Sequence, residues 1–240
     1  MPDTRQHRGA HPEDQRLFAP SQLPRLRTAV FEFSWLLTRG YAAVSALKLV
    51  GDRHKLNKRQ RVALSRAGCS DQEYEHRQAT CLPVQQIRDQ EVLIDGFNLL
   101  ITIEAALSGG IVLWCRDGCL RDLSSVHGSY RTVTETQQAF ELIGAVLCNL
   151  KPQSVTWLFD APISNSGRLA QRIRTEAAAH GWPWNAEVVL NPDTALIASE
   201  QIAISSDSHI LDGAMRWVNF SAYLLTSCLP DAWVIDLKNL

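Results

Sequence analysis

Residues 91–98 read Glu91-Val92-Leu93-Ile94-Asp95-Gly96-Phe97-Asn98, a short apolar run that stops on an aspartate and passes straight into turn chemistry. Two later stretches repeat the design. Val155 to Phe159 runs into Asp160-Ala161-Pro162, and Ile202 to Ile204 runs into Ser205-Ser206-Asp207. Buried strands of a parallel sheet read as short apolar runs because both of their faces are covered. In open α/β sheets the ligand crevice lies beyond the carboxyl ends of such strands. Three carboxylates gathered there repel one another unless a cation sits between them.

Working outward, strand-like and helix-like segments alternate. Strands are expected at 91–95, 111–115, 154–159, 186–190, 201–205 and around 233–235. Helices are expected over 99–107, 133–149, 166–180, 192–198 and 208–215. This alternation predicts an α/β fold, a parallel sheet with helices on both faces. Gly109-Gly110 fits a helix C-cap, and Thr134 with Gln137 has the spacing of a capping box. Upstream, Val30, Phe33, Leu36 and Leu37, then Val44, Leu47 and Val50, recur at helical spacing and predict an all-helical unit. Residues 1–22 are polar, carry Pro2, Pro12 and Pro20, and read as an arm with little regular structure, ordered only by docking. The expected division is a basic helical domain over 1–88, arm included, and an α/β domain over 89–240.

At 240 residues, with 45% hydrophobic and 20% charged residues, the composition is that of a soluble globular protein. No segment approaches the roughly 18 apolar residues a bilayer span needs, which argues against a membrane role. Six scattered cysteines and an N-terminus without a signal-like apolar run point to a reducing cytoplasm. The net charge of −1 hides an asymmetry: 15 Lys and Arg against 9 Asp and Glu up to residue 90, and 9 against 16 beyond. Lys48, Arg53, Lys55, Lys58, Arg59, Arg61 and Arg66 face a single nearby acid, Asp52, along the sequence. A basic helical unit of this kind can track a phosphate backbone, and it can equally be a solvated surface.

Asp95 is the first candidate metal ligand, with Asn98 placed at the start of the next helix to orient a carboxylate or phosphate. Gly96 is expected to permit the turn. Asp160 opens a polar loop in which Ser164, Asn165, Ser166 and Arg168 are candidate phosphate contacts near a helix N-terminus. Asp207 closes the third motif, with Ser206 beside it. Asp95 has a plain structural alternative as a helix-capping or turn residue and Asp207 as an N-cap, and Ser164, Asn165, Ser166 and Arg168 have one as a plain loop with an ordinary serine cap. Glu104 lies mid-helix among Ile101, Ile103, Ala105 and Ala106, where an unpaired charge is costly unless it faces a polar site, so it is a candidate fourth carboxylate. Asp117 and Asp122 flank a predicted hairpin, and with His127 to Arg131 they are expected to border a groove; structural service is the better reading of Asp117. Cys115 and Cys119 form a lone C-x3-C, a weak zinc signal. The tryptophans read as core and interface packing in preference to base-stacking platforms, although Trp182 and Trp184, around Pro183, look like an exposed pair. Walker, dinucleotide-binding, H-E-x-x-H and G-x-S-x-G motifs are absent from the sequence.

Through these residues the region from about 91 to 240 resembles the PIN-like nuclease superfamily, in the branch with a D-G-x-N first motif. Asp95-Gly96-Phe97-Asn98 looks like that motif, Asp160 like the central strand-end aspartate, and Ser205-Ser206-Asp207-Ser208 like the late S-x-D-S motif. The resemblance implies a Rossmann-like sheet and Mg²⁺- or Mn²⁺-dependent hydrolysis of RNA phosphodiesters. Asp95, Asp160 and Asp207 would be catalytic, with Glu104 as a further metal ligand. Asn98, Ser164, Ser206, Arg168, Lys48, Arg53, Lys55 and Arg59 would contact the nucleic acid. The late motif departs from the branch: His209 stands where another aspartate is common, and the next acid is Asp212. That departure keeps open a non-catalytic nucleic-acid-binding protein on a degenerate PIN-like fold. The chain as a whole is similar to the prokaryotic family called domain of unknown function 434, through Leu36-Leu37-Thr38-Arg39-Gly40-Tyr41, Ser45 to Arg53, and His127 to Arg131.

Overall fold

The computed structural model describes residues 7–124 and 130–238. In chain order the elements are α1 (Asp14–Leu17), a 3-10 turn (Pro20–Gln22), α2 (Leu23–Thr38), α3 (Ala43–Arg53), α4 (Lys58–Ala67), α5 (Asp71–Thr80) and β1 (Cys81–Leu82). A second 3-10 turn (Val84–Ile87) leads into β2 (Glu91–Asp95), α6 (Gly96–Leu107), β3 (Val112–Trp114), β4 (Leu120–Asp122) and α7 (Thr136–Leu150). Then follow β5 (Ser154–Asp160), α8 (Ser166–His180), β6 (Trp184–Val189), α9 (Pro192–Ala198), β7 (Ile202–Ile204), α10 (Ser208–Gly213), β8 (Trp217–Val218), α11 (Phe220–Cys228) and β9 (Val234–Asp236).

Six strands form one sheet in the order β1-β8-β7-β2-β5-β6, with every neighbouring pair parallel. The fold class is therefore α/β, and the architecture is consistent with a Rossmann-like fold. Side chains alternate across a strand, and the core divides accordingly. Val92, Ile94, Val155, Trp157, Phe159, Ile202 and Ile204 pack under α6, α7, α8 and α11. Leu93, Leu158, Ala203 and Trp217 point the other way, against Leu196 of α9 and Ile210 and Leu211 of α10. Burial on both faces is why these strands read as unbroken apolar runs.

Two of the expected strands behave differently. Val112–Trp114 and Val234–Asp236 leave the main sheet and pair in parallel, and β4 joins β3 antiparallel across the Asp117-Gly118 turn. This small sheet is a partition. Val112 faces the main core, whereas Leu113 and Ile235 pack with Leu26, Val30, Phe33 and Leu64 of the helical unit.

The N-terminal arm departs from expectation within its described residues. Leu17 and Phe18 are buried, Asp14 is buried against Arg59, and Arg8 is buried against Glu104. Docking has thus given the arm helical turns of its own. Helix α7 starts at Thr136, with Glu135 in place of Thr134 at its N-cap position and no side-chain cap, and the Thr136 hydroxyl donates to Glu104 (2.5 Å) and accepts from the Val133 amide. Capping boxes occur instead at Asn57/Gln60 and Ser70/Glu73. Trp184 is buried and Trp182 packs close to Gly144, so this pair is core; the exposed tryptophan is Trp35. Among the described residues no helix is long and apolar enough to cross a membrane. All six cysteines are free.

Candidate active site at the carboxyl edge of the sheet

A parallel sheet delivers all its carboxyl ends to one edge. In register, Asp95 stands opposite Leu158, two residues before Asp160, and Asp160 stands opposite Val189, four before Asp193. Ile204 stands opposite Ile94, three residues before Asp207. Acids thus follow β7, β2, β5 and β6, four adjacent strands.

Asp95 caps α6, its Oδ1 accepting from the Asn98 amide at 3.4 Å, and its Oδ2 accepts from the Ser205 hydroxyl at 2.9 Å. Ser205 Oγ in turn accepts from the Asp207 amide at 2.9 Å. Asn98 Oδ1 accepts from both the amide (2.8 Å) and the hydroxyl (2.9 Å) of Ser206. The first and late motifs are thereby laced into one unit. Asp207 caps α10 by accepting from the His209 amide at 2.8 Å. The capping alternatives for Asp95 and Asp207 are therefore realised alongside any chemical role. Gly96 has an ordinary backbone, and its requirement is space: a Cβ there would meet the Phe159 ring at 2.3 Å.

Burial, with the negative charges of Asp207 and Asp193 added, pushes the Asp95 carboxyl up to about 7 against the Ser205 and Asn98 hydrogen bonds. Burial and Asp193 raise Asp160, and burial and Asp207 raise Asp193. Asp160, Asp193 and the second oxygen of Asp207 carry no hydrogen bond or ion pair to another described side chain. Among the described residues, however, no three His, Cys, Asp or Glu side chains converge closely enough to ligate a metal as they stand.

Glu104 is not part of this edge. It is fully buried, paired with Arg8, and accepts hydrogen bonds from Tyr130 and Thr136 at 2.5 Å each. The polar site that it faces is its own ion pair. Asp117 is likewise structural: it is buried between Arg77 (2.7 Å) and Arg121 (2.6 Å), and Arg77 also reaches Asp212 at 2.7 Å. Arg121 donates to the Ser206 carbonyl at 2.6 Å, so this network props the late motif from behind. Asp212, the acid after His209, is already engaged. Asp122 accepts from Thr102 at 3.1 Å and lines a cavity of about 370 Å³ with Arg66, Asn98, Ser206 and Asp207.

In the Asp160 loop, the Ser164 carbonyl accepts from Tyr130, Asn165 donates to the Tyr130 carbonyl, and Ser166 donates to the Asp160 carbonyl. Arg168 is exposed beside them. The basic helical run is mostly neutralised in space. Lys48 and Arg61 pair with Asp52, Arg53 with Glu32, Arg59 with Asp14 and Arg66 with Asp122. Lys55 is exposed. His127 to Ser129 lie outside the described residues. Asp193 was missed in the sequence: Asn191-Pro192-Asp193 follows a strand as the other three motifs do, but that strand, Trp184–Val189, is not an unbroken apolar run.

Residues 84–223 match the family described as Domain of unknown function (DUF5616), and residues 25–79 match the family described as Protein of unknown function (DUF434). The chain belongs to the DUF5616 family. The DUF5616 match spans β2 to α11 and so contains all four strand-end acids, while the DUF434 match covers α2 to α5. The chain is also 32% identical over 180 residues to an uncharacterised protein of Methanocaldococcus jannaschii, covering 75% of this chain and 86% of that one. No solved structure matches it at a significant level.

Proposed function

We propose that the chain is a metal-dependent nuclease that hydrolyses RNA phosphodiester bonds, with Asp95, Asp160 and Asp207 as its acidic centre and Asp193 as a fourth member. One observation carries the reading. Carboxylates follow four adjacent parallel strands at the edge where α/β sheets bind ligands, and two of the motifs are laced together by Ser205, Ser206 and Asn98. The resemblance to the D-G-x-N branch of PIN-like nucleases supports it through the same three motifs.

The donors suit Mg²⁺ or Mn²⁺ in kind, because hard divalent cations take carboxylate oxygens and the four acids otherwise repel one another. Asp95, Asp160, Asp193 and Asp207 would hold the ion. Bound, it supplies an activated water and charge stabilisation for the departing oxygen. Asn98 and Ser206 fix the relative placement of the Asp95 and Asp207 motifs, and Arg168 stands on the substrate side. A reducing cytoplasm is the compartment that suits six free cysteines. Purified protein with Mn²⁺ is expected to cleave single-stranded or structured RNA, and Asp95→Asn to stay folded and lose that activity. Absence of cleavage, or equal cleavage by Asp95→Asn, overturns the reading.

A second reading is a non-catalytic nucleic-acid-binding protein on a degenerate PIN-like fold. His209 in the late motif and the capture of Asp212 by Arg77 favour it. Salt-sensitive RNA binding without metal-dependent turnover in a gel-shift and cleavage series selects it.

A further inference from the structure

Beside the loop that leaves Asp160 lies a cleft of about 430 Å³, lined by Tyr130, Arg131, Thr132, Asn165, Arg168 and Arg172 among others, with no carboxylate in its wall. Its position is fixed to the acidic centre. Tyr130 donates its amide to the Ser164 carbonyl at 3.1 Å, Asn165 donates to the Tyr130 carbonyl at 2.8 Å, and Ser166 donates to the Asp160 carbonyl at 2.5 Å. The Tyr130 ring also contacts Phe97, two residues from Asp95, at 5.4 Å between centroids.

Charge distinguishes this cleft from the arginines of the basic helical run. Among the described residues neither Arg168 nor Arg172 has an ion-pair partner, whereas Arg53, Arg59, Arg61 and Arg66 of the helical unit all do. Arg172 is instead held by neutral groups, donating to the Gln137 side-chain oxygen at 2.8 Å and lying over the Phe140 ring. It is thereby oriented without being neutralised. Arg168 and Arg172 are four residues apart on α8, so they share a face and repel in the absence of an anion. Arginine forks match phosphate oxygens. Asn165, at the N-cap position of α8, donates to the Tyr130 carbonyl and makes no side-chain cap, and the first-turn amides of α8 add donors of the same sign.

We infer that the Arg168–Arg172 cleft is a phosphate subsite that holds a backbone phosphate of a single RNA strand lying beside the acidic centre. The choice of RNA as occupant rests on the nuclease reading. The phosphate grip thus belongs to α8, while the basic run of the helical unit is largely occupied in holding the protein together.

Binding of a labelled single-stranded RNA to the full chain, measured by fluorescence anisotropy without divalent metal across a salt series, tests this. Removing one arginine–phosphate pairing lowers the slope of log K against log salt by about 0.7 for single strands. Arg168→Ala, an exposed residue with no described partner, is expected to weaken binding and flatten the slope by about that amount. Arg172→Gln should do the same, and Lys58→Ala on α4 should change neither. Wild-type affinity and slope in both arginine variants overturn the subsite; if the wild type still cleaves RNA with Mn²⁺, the nuclease reading survives that loss. RNA binding through the two arginines without cleavage leaves the subsite standing and removes the nuclease. No RNA binding by the wild type overturns the subsite.

Discussion

Asp95 is pulled in two directions. Its side chain caps α6 and receives Ser205, which fixes it, yet it is buried beside Asp207 and Asp193, which penalise its charge. The displacement from the ordinary 3.8 to about 7 corresponds to about 4 kcal/mol. Its sign follows from proton binding. Below about pH 4 the carboxyl is protonated in both folded and unfolded chains and costs nothing. Between about 4 and 7 the folded chain keeps a proton that the unfolded chain has lost, so stability falls as pH rises, and above 7 the full penalty is present. Asp95→Asn removes the charge. It is expected to melt several degrees above the wild type at pH 8 and level with it near pH 4, at about 2–4 °C per kcal/mol for a chain of this size. Parallel melting curves with a pH-independent offset would show that Asp95 is not a penalised carboxylate. Asp95, Asp160 and Asp207 were legible because each ends an apolar run. Asp193 was not, because β6 has only one buried face over much of its length and its sequence is not an apolar run.

At the scale of elements, the late motif depends on groups far from it in sequence. Arg77 of α5, Asp117 of the β3–β4 turn, Arg121 of β4 and Asp212 of α10 form one buried chain of charges that ends on the Ser206 carbonyl. Burial alone would raise the Asp117 carboxyl, but Arg121 and Arg77 outweigh it and hold it at about 2. The stabilisation is present above the ordinary 3.8 and is lost as pH falls through about 2. Removing the shared acid leaves buried Arg121 without a carboxylate and Arg77 with Asp212 alone, so Asp117→Ala is expected to cost about 3–5 kcal/mol in urea unfolding. Asp212→Ala should cost less, because Asp212 is partly exposed. Equal, small costs for both would mean that the network is not a structural pivot. The sequence pattern revealed α8 and α9 and the strands β2 and β5 nearly to the residue, and α6 except for its first three residues. It could not reveal β1 and β8, because two residues show no alternation, nor could it separate β3 and β9 from the main sheet. Leu113 and Ile235 are apolar for a different core, and an apolar run does not say which core it serves.

For the molecule as a whole, the N-terminal arm closes the structure by ion pairing. Arg8 meets Glu104 and Asp14 meets Arg59, both acids being fully buried. An isolated acid in an apolar helix was readable as a charge in need of a partner; that its partner lay 96 residues upstream was not. Arg8→Ala is expected to destabilise the chain by about 3–5 kcal/mol, and Glu104→Gln added to it to recover much of that loss, both by urea unfolding. No recovery would place the effect of Arg8 elsewhere. The basic and acidic halves of the sequence are thus joined by ion pairs and by a small sheet that faces both cores, and the acids at the carboxyl edge include Asp160 and Asp193, which have no hydrogen bond or ion pair to another described side chain. If those acids form a divalent-ion site, an ion that binds only the folded chain must stabilise it. The direct measurement is the melting temperature at pH 8 as Mn²⁺ is added. The wild type should gain about 2.7 kcal/mol at a hundredfold excess over the dissociation constant, and Asp95→Asn and Asp207→Asn should gain little. A wild type that Mn²⁺ does not stabilise, or variants that it stabilises equally, would contradict the account.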